Sequence, residues 1–269
     1  KNVDVSGSVV YRYNNYDKDL KTTPSTSRQT ENNNYKIGLN LSSKVNDYVK
    51  FNSRFIVGDS DNGDFAKLDS KKDDTGDGNA EVSLSNAYFG FTAIPNTVVN
   101  IGKQGLTTPY TVATDINGNE QTGTGILALS TFGPITAGAG YFNGTNVDKS
   151  GNGIAGSTKS TTDLFGATNT GKGGLDMYVA TVQGDLDFVK LEAWYAGLQN
   201  TFGSYTLAAT SNIDLAQDAK IGLEARYVNL QLNNKAQTNA NLTSDDNSMI
   251  RLAVDGKFSI VNARLAYTM

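Results

Sequence analysis

Residues 35–58 read YKIGLNLSSKVNDYVKFNSRFIVG. Apolar side chains stand at Tyr35, Ile37, Leu39 and Leu41, and again at Val49, Phe51, Phe55 and Val57; Lys36, Gly38, Asn40, Ser42, Lys50, Asn52 and Arg54 fall between them. Alternation of this kind means two β-strands, each with one apolar and one polar face, joined by the turn SKVND. The pattern does not say which face looks inward. An apolar face turned inward makes a soluble sandwich, whereas one turned outward makes a barrel in a membrane.

Composition limits the choices. A chain of 269 residues fits one large β-barrel as well as two small domains. Without cysteine or histidine it has no disulfide, no thiolate-held metal and no imidazole base. No apolar run reaches the roughly 18 residues of a spanning helix, so a membrane crossing would have to use strands. Lys1 opens directly on a strand pattern, as expected of a mature chain without a signal peptide. Twenty-three basic against 27 acidic residues, with a pI near 4.9, argues against a nucleic-acid partner.

The same alternation recurs near residues 3–14, 34–43, 48–58, 82–94, 97–106, 123–132, 135–144, 176–186, 188–198, 204–213, 219–232, 248–257 and 260–268, predicting about 13 strands of membrane-crossing length. Every second connection is tight: SKVND, IPN, GP, LD, IDLAQD and FS. Those between are mostly long and polar, at residues 15–33, 59–81, 107–122, 145–175 and 233–247. Outer-membrane barrels divide their connections in this way, with short periplasmic turns and long external loops.

Aromatic residues mark the strand ends: Tyr13, Tyr35, Tyr48, Phe91, Phe132, Phe142, Phe188, Tyr195, Phe258 and Tyr267. Amphipathic rings favour the headgroup layers. The polar faces carry Asp4, Arg12, Lys36, Lys50, Arg54, Glu192, Lys220, Glu224, Arg226, Arg251, Asp255 and Arg264, a set suited to a wet lumen. The reading is therefore an all-β transmembrane antiparallel barrel in the bacterial outer membrane, forming a single domain over residues 1–269.

The segments VDVSGSVVYRY, LSNAYFGFTAIPNTVVNIGKQGL and GTGILAL resemble the major outer-membrane porin family of Campylobacter and its relatives. The similarity is densest over about residues 3–14 and 82–142. The resemblance implies a homotrimer of wide barrels in outer-membrane lipid, each with its third external loop folded inside, acting as a diffusion porin and not as an enzyme. An odd strand number and a chain ending in Met269 depart from this pattern, since bacterial single-chain barrels have even numbers of strands. The expectation is a full barrel of 16–18 strands, with C-terminal strands missing from this sequence.

Function would then lie in the lumen. Small hydrophilic solutes and ions would pass without chemistry, with modest cation preference, and no cofactor would be required. The loop at residues 107–122 is expected to form the constriction. It would set Asp115 and Glu120 opposite Arg12, Lys36 and Arg54, while Glu192, Glu224, Arg226, Arg251 and Arg264 line the wall. The plainer reading of these charges is solvated lumen residues or pairs that stiffen the wall. The family resemblance also implies a possible calcium ion on Asp115, with Asn143 at a second ligand position and Glu192 or Glu224 as a further oxygen donor. DSDNGD at 59–64 and DDTGDGNAE at 73–81 lack EF-hand order and read as solvated loops. GKGG at 171–174 lacks phosphate-loop spacing. The rival functional reading is an adhesin or receptor barrel whose external loops bind a host or phage; a soluble surface-layer β-protein is the third.

Overall fold

The alternation of residues 35–58 becomes two neighbouring strands of one wide sheet. The computed structural model describes residues 3–20, 26–58, 65–67, 81–114, 118, 120–147, 176–239 and 241–269. Its strands are β1 (Val3–Leu20), β2 (Thr26–Lys44), β3 (Val49–Gly58), the two-residue β4 (Ala66–Lys67), β5 (Glu81–Phe91), β6 (Thr97–Gly105) and β7 (Thr122–Phe132). They continue with β8 (Ile135–Thr145), β9 (Met177–Leu186), β10 (Val189–Leu198), β11 (Phe202–Ala216), β12 (Ala219–Leu232), β13 (Asp246–Phe258) and β14 (Val261–Thr268). A short helix α1 (Asn234–Asn239) precedes β13. Thirteen strands pair antiparallel in chain order, and β4 pairs with β2. Among the described residues β1 and β14 each have one strand neighbour.

Two of the expected loops are partly regular structure. Residues 15–33 largely extend the first hairpin, whose ladder runs from Val3↔Ser43 to Leu20↔Thr26. Asn, Asp and Thr signal solvent at the side chain, yet their backbones complete a ladder as readily as those of valines. Within residues 233–247, α1 turns back toward β13, with Thr238 Oγ1 donating to the Asn234 carbonyl at 2.8 Å.

The register decides the sign of the faces. Val9, Leu39, Ile126, Leu191, Leu207, Leu223, Leu252, Val254 and Leu265 share the outward face and are exposed. A continuous apolar exterior of this kind suits hydrocarbon and not water. Tyr48, Phe89, Phe132, Phe188 and Phe258 stand exposed toward the short-turn end, and Tyr11, Tyr13, Tyr141, Tyr178, Tyr195 and Tyr205 toward the other. Tyr141 and Tyr178 pair across β8 and β9 with centroids 5.3 Å apart. Phe142 does not belong to this girdle, although its position near a strand end suggested it. It follows Gly138 and Gly140 on the inward parity of β8, opposite in sense to Tyr141, and its side chain is buried at 1% exposure.

The turns are made by residues that tolerate a left-handed backbone. Asn96 has φ 56°, Gly133 56° and Ser259 54°, each in the connection of a hairpin. In the first short turn Lys44 reaches Asp47 at 2.8 Å, and that hydrogen bond holds the exposed Asp47 carboxyl below its usual range.

Face assignment predicts an asymmetric response to charge. Leu252→Arg, on the outward face midway along β13, should destabilise the protein by about 2–4 kcal/mol in a bilayer. Thr210→Arg, on the inward face opposite Glu224, should be tolerated. Urea titration of the protein in lipid vesicles measures both, and equal losses at the two sites would contradict the assignment.

Candidate functional site: the inward-folded loop and the charged wall

Between Gly105 and Thr122 the chain leaves the sheet and returns along its inner face. Leu106 N–H donates to the Gln121 carbonyl at 3.0 Å and Gln121 N–H to the Ala113 carbonyl at 3.1 Å. The Gln121 side chain is also used, its Oε1 accepting from Val112 N–H at 2.7 Å. A tight turn closes between Thr108 and Thr111, whose hydroxyls lie 2.9 Å apart. These bonds satisfy backbone groups that would otherwise be stranded away from a ladder.

Apolar packing anchors one side of this loop. Leu106 joins Phe142, Met177, Val179, Ala196 and Leu198 in the hydrophobic core, with Tyr110, Leu127 and Trp194 packed against it. Tyr110 OH donates to the Trp194 carbonyl on β10 at 3.5 Å. The core therefore lies inside the sheet, between loop and wall.

Charge and hydrogen bonds anchor the other side. Glu120 Oε1 accepts from Arg54 Nε on β3 at 2.8 Å, and Oε2 accepts from Ser85 Oγ on β5. Arg54 also donates to Asn40 Oδ1 on β2 at 2.9 Å. Lys36 Nζ donates to the Gly118 carbonyl at 2.6 Å. Asn146 clips the loop base, donating to the Glu120 carbonyl at 2.7 Å while its Oδ1 accepts from Thr122 N–H at 2.8 Å. One loop thus touches β2, β3 and β5 as well as β10, which requires the inner face to be concave.

A second loop reaches the same corner. The Arg12 guanidinium lies 3.9 Å from the centroid of Phe65, close enough for cation–π attraction. Gly118, with φ +90°, sits against that ring: an added Cβ would come within 3.0 Å of Phe65 Cε2. Both the backbone angle and the close approach call for glycine.

Farther round the wall, alternating charges cross four strands. Glu192 on β10 meets Lys190 at 3.4 Å and Arg226 on β12 at 3.8 Å. Glu224 receives Arg226 at 3.3 Å, Arg251 at 3.7 Å and Arg264 at 3.0 Å, and Arg264 also meets Asp255 at 3.4 Å. One carboxylate thus holds three guanidiniums. Ala208 on β11 faces inward between Glu192 and Arg226, and its small side chain leaves room for that contact to pass over it.

The expected constriction residues divide. Glu120 and Arg54 form a contact pair rather than walls facing across open water, Lys36 holds the loop backbone, and Arg12 stacks on Phe65. Asp115 lies outside the described residues, as do residues 59–64, 73–80 and 171–174. The expected wall residues Glu192, Glu224, Arg226, Arg251 and Arg264 are brought together in one network. Ser85, Asn146, Phe65 and the apolar anchor were not anticipated. Leu106 and Tyr110, large apolar residues in the first turn of a loop whose end is polar, are the available signal.

Of the expected calcium donors, Asp115 lies outside the described residues. Glu192 and Glu224 are already compensated by guanidiniums, and Asn143 is exposed on the strand next to inward Phe142. Among the described residues no three carboxylates converge.

The sequence profile of the Campylobacter major outer membrane protein family matches residues 1–268. The chain belongs to that family. Membership places it in the outer membrane. No curated protein sequence matches it. Among solved structures, OccK1 (OpdK) of Pseudomonas aeruginosa superposes with a TM-score of 0.68 at 13% identity, over 99% of this chain and 65% of the other. OprD of the same organism gives 0.64 at 17% identity, over 99% and 56%. OccK2 (OpdF), solved in complex with glucuronate, gives 0.67 at 12% identity, over 99% and 64%. The chain therefore spans roughly three-fifths of the length of these outer-membrane proteins, and the likeness is one of fold.

The loop attachment has a measurable consequence in this family member. Glu120→Gln keeps the side-chain shape but removes the charge received by Arg54. Backbone amides of residues 106–114 should then exchange with deuterium about tenfold faster, the effect of losing roughly 1.4 kcal/mol of charge-assisted bonding. Unchanged exchange would assign loop placement to the Leu106 and Tyr110 packing alone.

Proposed function

We propose that the protein is an outer-membrane diffusion porin for small hydrophilic solutes and ions, a channel rather than an enzyme. The observation that carries this reading is the loop of residues 106–121, bound on the inner face of an apolar-outside sheet. It lies where it would narrow an aqueous passage without plugging it by a separate domain. Charged side chains lining such a passage act through space, and low-dielectric walls strengthen their field. Selection would come from width at the loop and from charge on the wall.

The sheet runs from β1 to β14 with one neighbour described for each edge strand, and the chain covers about three-fifths of its structural neighbours. Both facts support a longer barrel of 16–18 strands, because strand edges facing lipid would leave backbone groups unmet. A homotrimer, implied by the family resemblance, fits the outward strip of Ala128, Ala139 and Ala180. These are lateral neighbours on β7, β8 and β9, and their low relief suits wall-to-wall contact.

Paired charges give modest selectivity. In the network around Glu224, four cationic side chains meet three carboxylates, and Arg54 is offset by Glu120. A modest cation preference would follow the chain's formal net charge of −4, with Asp115 contributing if its loop segment faces the passage.

Planar-bilayer recording tests the proposal. Purified protein should give stepwise conductance with reversal potentials modestly favouring cations. Asp115→Asn and Glu120→Gln should shift them toward anions, and Glu224→Gln should do so more strongly by releasing three guanidiniums. All shifts should shrink between 0.1 M and 1 M salt as the Debye length falls from about 10 Å to about 3 Å. Absence of conductance would sink the channel reading. Unaltered reversal potentials in all three variants would remove charge selection from it.

A further inference from the structure

On the short-turn side of Arg54, the inner face of β2, β3, β5 and β6 holds a hollow of about 430 Å³. Its chemistry differs from the rest of the wall. Asn40, Asn52, Asn86, Asn100 and Gln104 bring five amides to it, and Tyr88 supplies one aromatic ring. Among the described lining residues Arg54 is the one charged group, and it is already matched by Glu120 at 2.8 Å.

The backbone keeps the floor open around Tyr88. Tyr88 faces Asn52 on one side and Gly102 on the other, and Gly90 faces Asn100. A Cβ at Gly102 would strike the Ala87 carbonyl oxygen and come within 2.8 Å of Tyr88 Cα, and the residue has φ +129°. A Cβ at Gly90 would lie 3.3 Å from Asn100 Oδ1 and 3.9 Å from Asn52 Nδ2. The missing side chain at Gly90 is thus what lets the Asn100 amide lie over the sheet beside Asn52. Gln104, 3% exposed, donates to the Asn100 carbonyl at 3.4 Å and supports that edge. Asn86 donates to Ser85 Oγ at 3.3 Å, and its own Oδ1 is buried without a partner.

We propose that this basin is a binding subsite for an uncharged, polyhydroxylated ring solute of the saccharide class, just inside the constriction. The proposal rests on the channel reading and adds a solute class to it. A carboxamide carries both donors and an acceptor, the same dual character as a sugar hydroxyl. Asn40, Asn86 and Gln104 each commit at least one of these groups within the wall, and their remaining lone pairs and N–H groups, with Asn52 and Asn100, are what the basin can offer. A pyranose also has a C–H face that packs against an aromatic ring such as Tyr88. Anions would meet amide carbonyls and an arginine already neutralised, while cations would find no free carboxylate. The volume lies in the range of small-ligand sites and admits one or two sugar rings. Wide-open access from the passage keeps binding weak, as transit requires.

The test uses maltose as the probe, with sorbitol and gluconate for comparison. Calorimetry of the whole protein in an amine-oxide detergent should give a millimolar dissociation constant for maltose and no measurable heat from sorbitol or gluconate. Tyr88→Ala should weaken maltose binding about two- to tenfold, the worth of one aromatic contact. Asn52→Leu should weaken it about fivefold, the worth of one hydrogen bond. Tyr88→Phe, which keeps the ring, should bind within about twofold of the parent and guards against misfolding as the cause. In bilayers, maltose should interrupt the current with the same ranking of variants. Equal heats from all three probes, no heat from maltose, or indifference to both Tyr88→Ala and Asn52→Leu would overturn the subsite. A conducting channel that maltose does not interrupt would defeat the subsite and leave the porin reading standing. Calorimetric binding with the predicted ranking but without conductance would support the subsite and defeat the porin reading.

Discussion

A backbone N–H or C=O in hydrocarbon has no water to bond, and each unmet group costs several kcal/mol. A chain without a spanning helix can meet that demand only by pairing strand with strand. The thirteen antiparallel strands paired in chain order among the described residues are the consequence, and most other features follow from their geometry. Successive side chains point to opposite faces, so one face can be given to lipid and the other to water along the same ten residues. Val254 and Asp255 are adjacent in sequence, yet one faces outward while the other meets Arg264 inside.

Assigning the apolar face to lipid leaves little to hold a hydrophobic core. The core that exists is small and sits on the inner face, where Leu106 and Tyr110 meet Phe142, Met177, Trp194 and Leu198. It exists because a loop folded inward brings its own apolar residues. The opposite end of that loop is tied by Glu120, Arg54, Ser85 and Asn146. Removing either attachment would leave the loop held from one side only. The loop is thus a suspended element, apolar on one bank and charged on the other.

Along the remaining wall, charges are used in compensated groups. Glu224 with its three arginines, and Glu192 between Lys190 and Arg226, keep partly buried ions paired. Pairing offsets the cost of desolvating these groups more than it adds net stability. The field of such a wall reaches farther than the benefit of any one pair, which stays local.

The sequence by itself determined the strand count, the order of short turns and long loops, the face bearing the charges, and the family, because period-two alternation and turn chemistry are local. Leu39 and Asn40 could be assigned to opposite faces from their neighbours alone. What only the tertiary structure decided is contact across strands distant in sequence. Arg54 could be placed in the lumen from its parity, but not against Glu120, 66 residues away. Phe142 stands near a strand end, as a girdle residue would, but it alternates with outward Tyr141 and so belongs to the inner face, where Leu106 and Met177 bury it. The pairing of residues 15–20 with 26–31 is hidden in the sequence because polar residues do not show the alternation that marks a strand. The amide basin around Tyr88 was equally invisible, since its members come from four strands and converge only when the register sets them side by side.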